Sequence, residues 1–200
     1  MRSKTASPPA DEAPRRAADR IRETAFDLFY REGIRAVGVE EIVSQAGVTK
    51  PSLYRAFESK DELIAAYLRD YDQRFCQRFE APAADHPDDP KAQLLAYVDR
   101  LAVRASRDGY RGCGLTNAVI EYPDGEHPAH QVAVESKQAL RERLRMMCRA
   151  MHARDPDDLA DGILLLLEGS YVSGQTFGEG GPARVLGVMV RRLIETSTQA

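Results

Sequence analysis

The chain has 200 residues, 43% hydrophobic and 30% charged, with a formal net charge of −3. A chain of that size buries enough surface to fold without metal or disulfide support, and its longest apolar run, residues 163–167, falls far short of the ~18 residues of a membrane span. Three cysteines (Cys76, Cys113 and Cys148) form neither an even framework nor a CxxC pair, and the opening MRSKTASPPADEAPRR has no apolar stretch of a secretory signal; a membrane protein, a secreted disulfide scaffold and a zinc finger are disfavoured, and a cytoplasmic protein is expected.

Residues 1–14 carry Pro8, Pro9 and Pro14 among Ser, Ala and acids with no apolar period, the pattern of a disordered tail. Ile21, Ala25, Leu28 and Phe29 recur at i, i+4, i+7 and i+8 and predict an amphipathic helix ending at Gly33. Ile42, Val43 and Ala46 form a second short stripe that stops at Gly47, and a third short helix over 51–57 begins with Pro51. Ser59 with Glu62 three residues on predicts a capping box before a longer helix carrying Leu63, Ile64, Tyr67, Leu68, Tyr71 and Phe75. Asp89-Pro90 opens a helix predicted to reach Gly109, and residues 115–121 form a short one ended by Pro123-Asp124-Gly125. Pro128 starts a long helix to about residue 154, Asp155-Pro156 starts the next, and Gly180-Gly181-Pro182 separates it from a last helix to about residue 196. No segment alternates strictly between apolar and polar residues, so the fold is expected to be all-α with about nine helices and no internal repeat.

The overall acidity hides a difference between the parts of the chain: residues 1–60 carry a net charge of +2 and residues 61–200 a net charge of −5. Within the first part, residues 40–57 (EEIVSQAGVTKPSLYRAF) have the layout of a helix-turn-helix, with Gly47 permitting a left-handed turn between two short helices. Val48, Leu53 and Phe57 are expected to pack inward, leaving Thr49, Lys50, Ser52, Tyr54 and Arg55 outside. Hydroxyls and cations of that kind suit phosphates and base edges; a solvated helical turn would carry the same side chains.

The surrounding sequence, from RIRETAFDLFYREG through GVTKPSLYRAFESKDEL, resembles the DNA-binding segment of the tetracycline-repressor (TetR) family over about residues 16–68. The resemblance implies an N-terminal helix-turn-helix domain (15–62) followed by a larger effector-binding and dimerisation domain (63–200). It implies DNA contacts for Lys50, Pro51, Ser52 and Tyr54, a phosphate contact for Lys60, and Thr49 at the recognition helix's N-cap. Arg15, Arg16, Arg20 and Arg22 are further electrostatic candidates, and Arg55 is a candidate for base edges. Many relatives place Thr or Ser before the second helix and a basic residue soon after; here Gly38, Val39 and Glu40 stand there, and Glu40 repels phosphate, so no DNA contact is assigned to it.

In the second part, the helices expected at 156–178 and 182–196 carry Leu159, Ile163, Leu166, Leu167 and Tyr171, then Val185, Leu186, Met189 and Leu193. Gly162, Gly169, Ser170, Ser173 and Gly174 keep one face small. The resemblance implies that this pair makes a four-helix homodimer interface, and a two-fold dimer reads a palindromic operator; packing within one chain would use the same residues. Tyr67, Tyr71, Phe75, Tyr97, Cys113, Asn117, Glu121, Met147 and Tyr171 are the candidates for lining a pocket for an unknown small-molecule effector. Asn117 and Glu121 share a helix face, where they either orient a ligand or bond the backbone and an arginine. His127 and His130 are read as a surface pair and not as metal ligands, Cys113 as a small buried residue, and no cofactor is expected.

The sequence has no Glu-x-x-His, GxSxG, HExxH or P-loop motif, so an enzyme is not expected. The function read from the chain is a sequence-specific DNA-binding transcriptional regulator, a repressor released by a small ligand. The alternative is a helix-turn-helix protein controlled by a protein partner or by cysteine oxidation.

Overall fold

A computed structural model describes residues 16–198; the tail expected at 1–14 and Arg15 lie outside the described residues. The described residues form nine α-helices and no strand: α1 (Ala17–Glu32), α2 (Val39–Ala46), α3 (Lys50–Ala56), α4 (Lys60–Glu80), α5 (Pro90–Ala105), α6 (Gly114–Glu121), α7 (Pro128–Ala150), α8 (Pro156–Phe177) and α9 (Leu186–Thr198). Short 3₁₀ turns follow α4 (Ala81–Ala84) and precede α9 (Pro182–Val185). None of these helices is long and apolar enough to cross a membrane.

The stripe read on α1 is the face that is buried: Ile21, Ala25, Leu28 and Phe29 meet Ile42 of α2, Leu53 of α3 and Ile64 of α4 in one continuous core. That core runs on through Leu68 and Phe75 of α4 to Leu94 and Leu101 of α5, Leu144 of α7 and Ile163, Leu167 and Tyr171 of α8. The helix starts follow local chemistry. Ser59 Oγ accepts the Glu62 N–H at 3.1 Å, and Asp89 Oδ1 accepts the Ala92 N–H at 2.9 Å, each satisfying a donor that the first turn leaves orphaned. The Glu62 carboxylate reaches back to the N–H of Glu58, one residue beyond the Ser59 N–H of the expected reciprocal box.

Three helix ends differ from those expected. Helix α5 stops at Ala105 and not at Gly109, because the Ser106 hydroxyl takes the Ala102 carbonyl at 3.0 Å and the chain tightens before the glycine turn. Helix α7 stops at Ala150, where His152 adopts a left-handed φ of 55° and the Ala153 N–H returns to the Cys148 carbonyl at 3.2 Å. No glycine marks that left-handed position, so the sequence carried no signal for it. Helix α9 begins only at Leu186, after the 3₁₀ turn that Pro182 opens.

Candidate functional site

Helices α2 and α3 meet at Gly47, whose φ of 61° lies in the left-handed region that a side chain would strain. The Gly47 and Val48 N–H groups close α2 on the Ser44 and Val43 carbonyls, and Leu53 and Phe57 anchor α3 from below. Thr49, Lys50, Pro51, Tyr54 and Arg55 are exposed, with Ser52 half-buried. The Thr49 and Ser52 hydroxyls lie 2.9 Å apart, and Arg55 Nη2 donates to Ser52 Oγ at 2.9 Å, so these three side chains are ordered together along one face. Lys50 Nζ donates to Glu40 of α2 at 2.5 Å, and that hydrogen bond and charge hold the ammonium above its ordinary pKa. Lys60 is half-buried: its Nζ donates to the Ile34 carbonyl at 3.1 Å, and burial lowers its pKa. Arg22 is taken up by Asp70 of α4, with Nε 2.9 Å from Oδ2, whereas Arg16 and Arg20 stay exposed.

A cavity of about 230 Å³ opens between α1, α4, the end of α5, the start of α6 and α8. Four of the expected residues come together on its wall: Tyr71, Phe75, Cys113 and Tyr171. Burial raises the pKa of both tyrosines, so they are neutral donors. Tyr97 lies behind them, its hydroxyl 3.5 Å from that of Tyr171 and its ring against Phe79. Tyr67 packs among Phe26, Phe29 and Tyr71. The other three expected residues are elsewhere. Met147 borders a separate surface groove with Phe79 and Arg143. Asn117 donates to the Arg111 carbonyl at 2.8 Å, and Glu121 accepts from Arg35.

The cavity also has walls that the sequence reading missed. Phe26 and Tyr30 of α1, Arg74 and Arg78 of α4, Arg104 of α5, and Tyr110 and Gly112 complete it. Phe26 and Tyr30 sit at i, i+4 beside the main stripe of α1, a spacing that marks a second apolar face. Gly112 has a left-handed φ of 72°, and its carbonyl lies 3.4 Å from the hydroxyls of both Tyr30 and Tyr71. Behind Cys113, Lys137 Nζ lies 3.5 Å from Sγ and donates to Glu168 at 2.6 Å. Burial opposes the Lys137 charge, but Cys113 and Glu168 outweigh it and raise the pKa. His127 accepts the Ala129 N–H at 3.1 Å as the cap of α7, and His130 Nδ1 contacts the Tyr122 carbonyl at 2.7 Å. No group of three or more potential metal ligands occurs among the described residues.

Residues 21–67 match the model of the bacterial regulatory proteins of the tetR family. A solved TetR-family regulator structure from Streptomyces avermitilis is 30% identical with a TM-score of 0.80, over 93% of this chain and all of that one. The chain belongs to the TetR family. A second TetR-family regulator, from Streptomyces coelicolor, is 28% identical with a TM-score of 0.83, covering 92% of this chain and 96% of the other. The HTH-type transcriptional repressor ComR of Escherichia coli is 26% identical over 78% of this chain and 79% of its own length. The protein is therefore a DNA-binding transcription regulator with a helix-turn-helix domain and not an enzyme.

In this TetR-family chain, α6 joins the cavity to the helix-turn-helix. Its N-cap, Cys113, lies on the cavity wall, and the helix ends at Glu121. There the Glu121 carboxylate accepts the Arg35 N–H at 2.9 Å and the Glu121 carbonyl accepts the Arg35 guanidinium at 3.2 Å, in the turn between α1 and α2. Helices α8 and α9 expose Leu165 (74%), Val172 (52%), Phe177 (60%), Val188 (50%) and Met189 (39%). These differ from most of the apolar residues singled out in the sequence. Leu159, Ile163, Leu167, Tyr171 and Leu186 are buried within the chain, and Gly174 lies tight against the Tyr110 ring and the Ala105 carbonyl.

Proposed function

We propose that this regulator is a homodimeric repressor whose hold on a palindromic operator weakens when a small molecule enters the cavity. The observation that carries the reading is the shared wall. Helix α1 supplies Phe26 and Tyr30 to the cavity, and α6 runs from the same cavity to Arg35. A ligand there touches both elements that set the attitude of α2 and α3. To weaken DNA binding it must favour the DNA-incompetent arrangement, and operator DNA must oppose the ligand by the same factor.

The division that fits this reading is a DNA-binding domain over 15–62 and an effector and dimerisation domain over 63–200; the boundary falls in the first turn of the continuous α4. Lys50, Pro51, Ser52, Tyr54 and Arg55 would face the groove with Thr49 at the start of α3. Lys60, held to Ile34, would touch phosphate only by giving up part of that bond. The exposed apolar residues of α8 and α9 support dimerisation through these helices, since a contiguous apolar surface of this kind marks an interaction site.

Selection of genomic fragments with the purified protein, followed by binding to the best fragment across a range of salt, tests the reading. A palindrome bound by a dimer with a steep salt slope upholds it. Weak, sequence-independent binding overturns the operator; a tight operator that no cavity ligand releases overturns the ligand control alone.

A further inference from the structure

We infer that the cavity takes a small organic monoanion, a carboxylate carried on a compact apolar or aromatic body. This inference rests on the reading of the cavity as the effector site and names the chemistry that site selects.

Three guanidiniums, from Arg74 and Arg78 on α4 and Arg104 on α5, border the cavity, and no Asp or Glu lines it. Several arginines elsewhere on the chain are held by carboxylates: Arg22 by Asp70, Arg100 by Asp85, Arg141 by Asp161, Arg143 by Glu80 and Arg149 by Asp157. Among the described residues, none of the three cavity arginines has a carboxylate within ion-pair distance. Arg74 also borders a neighbouring groove of α1 and α4 that holds Asp19, Glu23 and Asp70; Asp70 is engaged by Arg22, and none of the three is within ion-pair distance of Arg74.

Arg78 is the sharpest case. Its Nε is buried and has no hydrogen-bond partner among the described residues. A buried donor left unmade is costly, and native proteins keep few of them without a reason such as a ligand. What surrounds the arginines are π-faces: the Arg74 guanidinium lies 3.8 Å from the Phe26 ring centre, and that of Arg78 lies 5.7 Å from the Tyr71 ring centre. Aromatic faces hold a cation in place but leave N–H groups for an anion, and a carboxylate matches the guanidinium fork. Two of the tyrosine hydroxyls, of Tyr30 and Tyr71, already face the Gly112 carbonyl. The donors left for a ligand are therefore mainly cationic.

Phe75, Tyr171 and Cys113 give the cavity an apolar side. An apolar cavity of about 150 Å³ takes up benzene, so about 230 Å³ holds a ring plus a short acidic arm. Arg74 also contacts Phe26 of α1, so an anion that draws Arg74 inward acts directly on the DNA-binding helices.

The test is calorimetry and thermal shift on the full-length protein with 3-phenylpropanoate and its isosteres, neutral 3-phenylpropanamide and cationic 3-phenylpropylamine. The carboxylate is expected to bind and stabilise, the amide about tenfold to a hundredfold more weakly, and the amine not at all. Arg78→Gln should reduce the carboxylate to the level of the amide. Arg104→Gln, farther along the wall, should lower affinity in the same direction and serves if Arg78→Gln does not fold. Equal or tighter binding of the amide or the amine overturns the inference. So does absence of binding by 3-phenylpropanoate, benzoate and octanoate alike at millimolar concentration. A carboxylate that binds through Arg78 but leaves operator affinity unchanged upholds the anion class and overturns the ligand-release reading instead.

Discussion

Arg35 and Glu121 grip each other twice: the Arg35 N–H meets the Glu121 carboxylate at 2.9 Å, and the Arg35 guanidinium meets the Glu121 carbonyl at 3.2 Å. The carboxylate also lies against Gly33, whose left-handed φ of 94° ends α1, so a side chain there would be strained by the backbone. The last residue of α6 thus holds the turn that sets α2, while the residue that caps its start, Cys113, lies on the cavity wall.

Glu121→Ala is expected to weaken communication without removing either partner. Operator affinity of the unliganded protein should stay within about threefold, and cavity-ligand affinity should barely change. The ratio between operator affinities with and without saturating ligand should shrink about tenfold, the scale of an ordinary allosteric coupling. Paired operator titrations of the wild type and variant measure that ratio, and an unchanged ratio removes α6 from the mechanism.

Lys50 is held by Glu40 at the exposed junction of α2 and α3, so on DNA it must exchange a carboxylate for a phosphate or a base edge. Glu40→Gln should therefore tighten operator binding about threefold to tenfold by removing a charge that repels phosphate. Lys50→Ala should flatten the log–log salt slope by about one unit and relax the preference among operator variants. Tyr54→Phe should weaken all operators alike. Fluorescence anisotropy at several salt concentrations separates the three outcomes.

The helix-turn-helix was legible because its determinants are local. Gly47, the buried Leu53 and Phe57 and the exposed hydroxyls between them all lie within a dozen residues. The stripe of Ile21, Ala25, Leu28 and Phe29 was equally local, and every member is buried. The cavity was legible only in part. Tyr71 and Phe75 belong to the apolar face of α4, but Arg74 and Arg78 occupy its flank and read as solvated cations. Only the approach of α1, α5 and α8 turns that flank into a wall. Asn117 and Glu121 do share a face of α6, as their spacing implies, but what meets that face is the Arg111 carbonyl and Arg35, far away in sequence from Glu121. Long-range closure of this kind leaves no period in the sequence.

The apolar surface on α8 and α9 supports a dimer that a single charge should break. Leu165 is 74% exposed within the chain, so Leu165→Asp costs the monomer little, and in the proposed dimer it would bury a carboxylate in the contact. The variant should sediment as a folded monomer with wild-type helicity and lose operator binding at least about tenfold, since a single half-site remains. Val188→Asp is the companion test on α9.

Cys148 is a fully buried residue of α7, and burial pushes its thiol up to about 11 from an ordinary 9. The folded state therefore favours the neutral thiol. That contribution is whole below about pH 9, where the unfolded thiol is also protonated, and is lost as pH climbs toward 11. Chemical denaturation across pH 8–11 should show stability falling by about 1–2 kcal/mol more in the wild type than in Cys148→Ala. The Ala variant starts lower, because removing the sulfur leaves a small cavity, but its alkaline decline should be shallower.

Arg78 presents the opposite trade between stability and binding. Its Nε is buried without a partner, so the unliganded protein carries the cost of that donor. Arg78→Met keeps the length of the side chain, packs on Tyr71 in place of the guanidinium, and removes the unmade hydrogen bond. The unliganded variant should be more stable than the wild type by about 1–2 kcal/mol in urea denaturation, with an unchanged slope. Added 3-phenylpropanoate should stabilise the wild type and leave Arg78→Met unmoved, since mass action acts only through a ligand that binds the folded state. A destabilised Arg78→Met would mean that the guanidinium already has the partners it needs in the folded chain, and the case for an anion at that position would fall with it.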